Sequence, residues 1–206
     1  MHAAVDFFTR GGWAMWLLLT CAIIGFAYVI ERLITFARIG VDPEDFAEKL
    51  IKIFKESGIS SAIGYCRKVP SPAANVLRPT LEKFKQVGKE REVLEETLTR
   101  SATRGLAFLD RGMLILASLS NIAPMIGFLG TVSGMIRAFN SIALAGTVEP
   151  TLVASGISEA LITTATGLGL AIPISAAHAF FSTKVNAFTR SMEDAASAVM
   201  DTILEA

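Results

Sequence analysis

Three long stretches without charged residues divide the sequence. They are residues 11–30, 112–136 and 160–183, with lengths of 20, 25 and 24 residues. About 20 consecutive apolar residues are enough to carry a helix across the hydrocarbon core of a bilayer. The pattern therefore predicts an all-α membrane protein with three transmembrane helices, at 13–30, 112–136 and 157–183.

The segments between and after these stretches are polar but keep a helical period. Asp42 followed by Pro43 is typical of a helix start, apolar residues recur behind them at helical spacing, and Gly58 is the predicted stop. The charged stretch 81–110 has the same period and leads into the second span, and the apolar stripe of the third span continues beyond Lys184. We expect two of the transmembrane helices to extend into a cytoplasmic helical bundle.

Composition agrees with a membrane protein. Of the 206 residues 52% are hydrophobic and only 18% are charged, with a mean hydropathy of +0.52. The alternative, a soluble bundle with very apolar core helices, is disfavoured because core helices seldom lack charge over such lengths. The first apolar stretch is longer than a secretory signal core and is followed by Glu31 and Arg32, so it is expected to remain as a helix.

The distribution of basic residues predicts the orientation. Fifteen of the 19 Lys and Arg residues lie between Arg32 and Arg111, and two more follow the third apolar stretch. By the positive-inside rule, 31–111 is a cytoplasmic helical loop and 184–206 a cytoplasmic C-terminal helix. Residues 1–12 and 137–156 are then periplasmic, which is the multi-pass topology expected of a protein in the bacterial inner membrane.

Several function classes find no residues to support them. No nucleophile–base arrangement, phosphate-binding loop or metal-ligand spacing occurs, so we predict no enzyme activity, no cofactor and no metal site. Cys21 and Cys66 lie in such different settings that neither a disulfide nor a metal site is predicted. Net charge is zero and no basic tract with interleaved aromatics appears, so nucleic-acid binding is not expected.

Small residues mark one side of the second span. Gly127, Gly130 and Gly134 share a helix face, and the last two form a GxxxG pattern that permits close helix contact. Pro124 in this span leaves a backbone carbonyl without its usual partner, and the third span contains Pro173. We interpret these five residues as helix-packing positions.

The third span opens with ionisable and hydroxyl groups. Glu159, Thr163 and Thr166 recur at helical spacing and predict a polar stripe, and an acid within hydrocarbon marks a functional path or a buried pair. Two alternatives stay open. Glu159 could lie at the outer interface, because 24 uncharged residues follow it, and threonine hydroxyls in membrane helices often bond only to their own backbone.

Two segments together resemble a known family. They are APMIGFLGTVSGM at 123–135, and ISEALITTATGL at 157–168 followed by AIP at 171–173. This pair is similar to the signature of the MotA/TolQ/ExbB proton-channel family, ExbB/TolQ type. The three-span layout, Glu31-Arg32 after the first span and the large polar loop are similar too. Flagellar stator subunits of the MotA type have four membrane spans. Because this chain has three, a stator subunit is the less fitting alternative.

The resemblance implies a function, a set of partners and roles for three residues. Thr131 and Thr164 would face a central pore, and Glu159 would correspond to the family's intramembrane acid. The chain would form a homo-oligomer, a pentamer, around a single-span partner of the ExbD/TolR type whose membrane Asp carries the proton. That motor would energise a TonB-type protein in an ExbB-like role, which we favour, and the alternative is a TolQ-like role with a TolA-type protein. A non-conducting membrane scaffold is the third alternative.

Overall fold

The computed structural model describes residues 2–146 and 150–205, and within them it is helical with no β-strand. The all-α prediction is confirmed. Seven helices follow one another: α1 (His2–Arg10), α2 (Ala14–Arg38), α3 (Pro43–Lys68), α4 (Pro72–Val87), α5 (Arg91–Asp110), α6 (Met113–Ala145) and α7 (Pro150–Glu205).

The chain divides into two compact units. The first, which we call the membrane unit, comprises Met1–Arg32 and Gly112–Phe180, and the second, the polar unit, comprises Leu33–Arg111 and Phe181–Ala206. The predicted bounds of the spans and loops remain predictions. Positions 1, 147–149 and 206 of the predicted terminal and periplasmic segments lie outside the described residues.

The membrane unit carries the apolar helices. Three helical segments are long and apolar enough to cross a bilayer, one in each of α2, α6 and α7, which confirms the predicted number of spans. Large apolar side chains on all three are exposed, among them Ile23, Phe128 and Ile172 at 63, 67 and 68%. Such exposure in water would be costly, whereas lipid tails solvate these side chains.

The polar unit has a core of its own. Its centre is made of buried apolar side chains from α3, α4, α5 and the C-terminal part of α7, including Phe46, Leu50, Leu77, Leu94 and Met192. The predicted apolar stripe beyond Lys184 supplies the α7 contribution, so the extension of the third transmembrane helix is confirmed. Burial of this stripe gives a reason for the helix to continue beyond the length that a bilayer needs.

The start of α3 also agrees with the sequence pattern. The Asp42 side chain accepts a hydrogen bond of 2.9 Å from the backbone N–H of Glu44, and Pro43 occupies the first turn. Gly58 does not end the helix as predicted. It takes a non-helical conformation with φ 78° and ψ 178°, which only glycine adopts easily, and the helix resumes to Lys68.

One further difference concerns a helix break. The polar helix expected to lead into the second span is broken between α5 and α6. At this break Gly112 has φ 79°, and a Cβ there would lie 2.6 Å from the ring of Tyr28. Glycine thus permits both the backbone conformation and the close contact, and α6 starts as a separate helix.

Candidate functional site

Helices α6 and α7 approach each other through their smallest residues. A Cβ added at Gly127 would lie 2.9 Å from the carbonyl oxygen of Thr163, and one added at Gly134 would lie 3.0 Å from that of Gly156. Real Cβ atoms almost never come closer than 3.0 Å to such atoms. The backbones of the two helices therefore touch almost directly, as in other membrane helix pairs with small residues at the interface.

Gly130 has a different neighbour in the same interface. A Cβ at this position would lie 2.5 Å from both Cβ and Oγ1 of Thr163. Thr163 is completely buried, and its hydroxyl bonds to the carbonyl oxygens of Glu159 and Ala160 in its own helix. Thr163 therefore acts as a packing residue, and Glu159, Thr163 and Thr166 do not form the open polar stripe that their spacing predicted.

The two prolines differ in their surroundings. Pro124 lies inside α6 and is half-buried, while Pro173 lies inside α7 and is exposed. Neither stops its helix, in agreement with the tolerance of membrane helices for proline. Within one chain, close approach of α6 and α7 is provided by glycines.

The two candidate pore residues both bond to carbonyl oxygens in one turn of α6. Thr131 Oγ1 donates a hydrogen bond of 2.6 Å to the carbonyl oxygen of Phe128. Thr164 Oγ1, on α7, donates one of 3.4 Å to the carbonyl oxygen of Gly127. Both threonines are half-buried. Their hydroxyls are thus held on consecutive carbonyls of α6, although they lie 33 positions apart in the sequence.

Thr166, two positions beyond Thr164, differs from it in its hydrogen-bond partner. Its hydroxyl donates a hydrogen bond of 2.8 Å to the carbonyl oxygen of Ile162, one turn earlier in α7. This is the local bonding that threonine favours in helices, and it creates no link to another helix. Thr131 also bonds within its own helix, so of these three only Thr164 has a hydroxyl that connects α7 to α6.

Glu159 forms an ion pair with Arg137. Arg137 lies on α6, and its guanidinium contacts the Glu159 carboxylate, whose side chain is 13% exposed against 51% for that of Arg137. Gly12, with φ 66°, lies beside both groups, because a Cβ there would come 2.3 Å from the carboxylate and 2.9 Å from the guanidinium. Glu159 is therefore a mostly buried and charge-compensated acid.

The partner of Glu159 was missed by sequence reasoning. Arg137 is the first charged residue after the second apolar stretch, while Glu159 is the last before the third. Two antiparallel helices joined by a short connection bring such positions to the same end. The positions of these two charges at the ends of the apolar stretches could therefore have indicated the ion pair from the sequence. A second contact at this side of the unit is the 2.9 Å hydrogen bond from Trp13 Nε1 to Ser133 Oγ.

The remaining chemistry in the described residues is sparse. No group of three His, Cys, Asp or Glu side chains is placed to hold a metal ion there. Cys21 and Cys66 are free thiols, and both are buried. Among its described residues the membrane unit offers hydroxyls and three carboxylates, each in an ion pair with an arginine, namely Asp6, Glu31 and Glu159. Hydroxyls can guide a proton or a water molecule, but they do not hold a proton at physiological pH as a carboxylate can.

Comparison with known proteins gives consistent matches. Residues 68–194 match the family described as MotA/TolQ/ExbB proton channel. The chain is 30% identical over 173 residues to putative biopolymer transport protein ExbB-like 1 of Synechocystis sp., covering 82% of this chain and 66% of that protein. It is 42% identical over 95 residues to biopolymer transport protein ExbB of Xanthomonas campestris, covering 46% and 37%.

A third relative has the same description. Biopolymer transport protein ExbB of Salmonella typhimurium is 36% identical over 93 residues, which is 45% of this chain and 38% of that protein. In all three cases the alignment covers less than two thirds of the relative's own length.

Proposed function

Because the chain belongs to the MotA/TolQ/ExbB proton channel family and is a multi-pass membrane protein, we propose that it is a ring-forming subunit of a proton-driven motor. In this proposal the motor lies in the bacterial inner membrane. It contains five copies of this chain and a single-span partner of the ExbD/TolR type. The ExbB-like role, energising transport through a TonB-type protein, is favoured over a TolQ-like one because relatives named ExbB match the chain.

The observation that carries the proposal is the pair of threonine hydroxyls on adjacent carbonyls of α6. Thr131 and Thr164 come from two helices, and close glycine contacts hold those helices together. A hydroxyl that donates a hydrogen bond to a carbonyl oxygen still has lone pairs that accept hydrogen bonds. The two residues thus supply polar acceptor sites in otherwise apolar surroundings.

A proton carrier has to come from another chain. Among the described residues of the apolar helices, Glu159 is near the outer end of the α7 span and is neutralised by Arg137, so no free carboxylate occupies the middle of the bilayer. In the proposed mechanism the partner's membrane Asp takes a proton from the periplasmic side along a path lined by Glu159, Thr131 and Thr164. Its neutralisation changes its affinity for positions in the ring.

The driving force for such a step is known in magnitude. Each elementary charge that crosses a potential of 100 mV supplies about 2.3 kcal/mol. Alternating charge and neutrality of the partner's Asp would convert this energy into relative rotation of partner and ring. The orientation needed places the polar unit in the cytoplasm, which agrees with the position of fifteen of the 19 basic residues between Arg32 and Arg111.

Proton uptake in liposomes tests the proposal. The chain is co-reconstituted with its single-span partner, and a potential is imposed while internal pH is followed. We expect the Thr131→Val/Thr164→Val double variant to lower the uptake rate at least tenfold, because valine keeps the shape and removes the hydroxyl. Thr131→Ser/Thr164→Ser, which retains both hydroxyls, should recover most of the rate.

Thr166→Val is the matched control, since Thr166 lies in the same span as Thr164 but outside the proposed path, with a hydroxyl that bonds within α7. It should conduct like the wild type. Wild-type uptake by the Thr131→Val/Thr164→Val variant would contradict the proposed path, and uptake by the chain without any partner would contradict the need for an external acid.

A further inference from the structure

An apolar groove runs along the polar unit between α5 and the C-terminal part of α7. This α5–α7 groove has a volume of about 580 Å³. Its floor is formed mainly by Leu98, Leu106, Met192 and Met200. Met192 and Met200 belong to the core, and the two leucines are only partly buried against it. The groove thus exposes the edge of the core to solvent.

Acidic side chains surround this floor. Four acids and one base line the groove, Glu95, Asp110, Glu193 and Asp201 against Arg91, which gives a net charge of −3. Arg91 forms an ion pair with Glu95 and interacts with Asp201. Asp110 and Glu193 are exposed and form no ion pair with any other described residue. Their charges are therefore free to attract cations from a ligand.

The α4–α5 groove, on another side of α5, shows the opposite sign. It has a volume of about 560 Å³ and is lined by three bases, Lys83, Arg100 and Arg104, against one acid, Glu96. Like charges at an interface are costly and opposite charges select the partner. A cationic ligand would therefore be attracted to the α5–α7 groove and repelled from the α4–α5 groove.

From this arrangement we infer that the α5–α7 groove binds a cationic amphipathic helix of a partner protein. An apolar stripe on such a helix would cover the leucines and methionines, and flanking Lys or Arg would meet Asp110 and Glu193. Grooves of this kind recognise helices through apolar anchors at every third or fourth residue. Methionines suit the purpose because their flexible side chains adapt to the ligand.

A second copy of this chain fits the groove less well. In the described part of the polar unit, large apolar side chains that are exposed are confined to Leu33 and Ile34 on α2, so another copy offers little to cover the apolar floor. The occupant is better supplied by the single-span partner, and this step rests on the proposed function. A protein that crosses the membrane once has basic residues concentrated at its cytoplasmic end by the positive-inside rule.

A labelled peptide of 14 residues containing only leucine and lysine at helical spacing serves as the probe. Its affinity for the full chain in lipid nanodiscs without anionic lipid is measured by fluorescence anisotropy. We expect binding to weaken at least tenfold in the Asp110→Lys/Glu193→Lys variant and to weaken with salt. The matched control is Glu48→Lys/Glu56→Lys, which changes net charge equally at exposed positions outside the groove and should bind like the wild type.

Three results would overturn the inference. They are equal affinity of the groove variant and the wild type, equal affinity for a peptide with glutamate in place of lysine, and loss of the chain's own oligomer in the groove variant with unchanged peptide binding.

A parallel co-purification compares the single-span partner with a form lacking its cytoplasmic residues. Retention of the shortened partner at wild-type yield would remove it as the occupant. Proton uptake by the threonine variants tests the conduction path separately. The proposed path and the proposed peptide groove can therefore each fail without the other.

Discussion

Helices pack in different ways in the two units. In the membrane unit α6 and α7 meet through glycines and bare backbone, whereas in the polar unit large side chains such as Phe46, Leu77 and Met192 fill the space between helices. Burial of apolar surface from water supplies about 25 cal/mol per Å² in the second case. It supplies almost nothing between helices already surrounded by lipid.

The difference explains where each unit is sensitive to change. Lipid-solvated helices gain stability from close contact, so an added methyl group at the contact should be harmful. A core in water gains from buried volume, so a removed ring should be harmful. Four measurements on the full chain in lipid nanodiscs test or refine this contrast.

The largest expected effect belongs to Phe46→Ala in the polar unit. Phe46 is completely buried and stacks on Tyr65 with ring centroids 5.1 Å apart. Loss of its ring should lower the free energy of unfolding of this unit by about 3–5 kcal/mol. Urea unfolding followed by limited trypsin digestion reports it. Glu48→Ala, exposed on the same helix, should change the stability little.

Gly127→Ala tests the contact in the membrane unit. The new Cβ would meet the backbone of α7, which cannot rotate away, so we expect a loss of about 1–3 kcal/mol. Gly169→Ala is the control, because nothing lies within 4 Å of its Cβ position. There the better helix propensity of alanine should leave the melting temperature unchanged or raised, by up to about 1 kcal/mol of stability. Equal shifts in both variants would contradict the proposed interface.

Breaking the ion pair of Glu159 and Arg137 should lower the free energy of unfolding by a smaller amount. Either Glu159→Gln or Arg137→Gln should cost about 1–2 kcal/mol, at the low end of values for charged hydrogen bonds because Arg137 is half exposed. The double variant should lose less than the sum, since the second change removes a charge already left unpaired. Thermal unfolding of all four proteins measures this coupling. Additive losses would show that the two groups act independently.

At neutral pH the smallest effect concerns the thiol of Cys66, because its contribution to stability changes only at alkaline pH. Burial raises its pKa from 9.0 to about 11, and the nearby Arg78 opposes this only in part. The unfolded chain ionises first, so stability is unaffected below pH 9 and falls between pH 9 and 11, by at most about 1.4 kcal/mol per pH unit. Urea unfolding across this range should show the decline, and Cys66→Ala should remove it. A maleimide at pH 8 should label Cys66 rapidly only after unfolding.

Local patterns accounted for much of the fold. The uncharged stretches predicted three membrane helices, Asp42 and Pro43 predicted the start of α3, and the stripe after Lys184 predicted the length of α7. These features depend on neighbours within one or two helical turns, which a sequence displays directly. The break at Gly112 was missed because the ring that packs there belongs to Tyr28, 84 positions earlier.

The candidate site divides in the same way. Small residues in the second span suggested close helix contact, but sequence spacing put Thr163 on a polar stripe with Glu159. The fold buries Thr163 against Gly130 and pairs Glu159 with Arg137. Which face of α7 turns towards α6 depends on the register between two helices, and a periodicity within one helix contains no information about that register.

By itself, the sequence determined which segments are helical and which of them belong in a membrane, because hydropathy and helix caps are properties of consecutive residues. Only the tertiary structure decided which hydroxyl of α7 bonds to α6, which arginine neutralises Glu159 and where an acid-rimmed groove opens beside α5. The physical reason is that these contacts join residues far apart in the chain. They arise when the close approach of glycine backbones in one unit, and the burial of apolar side chains in the other, selects one helix register.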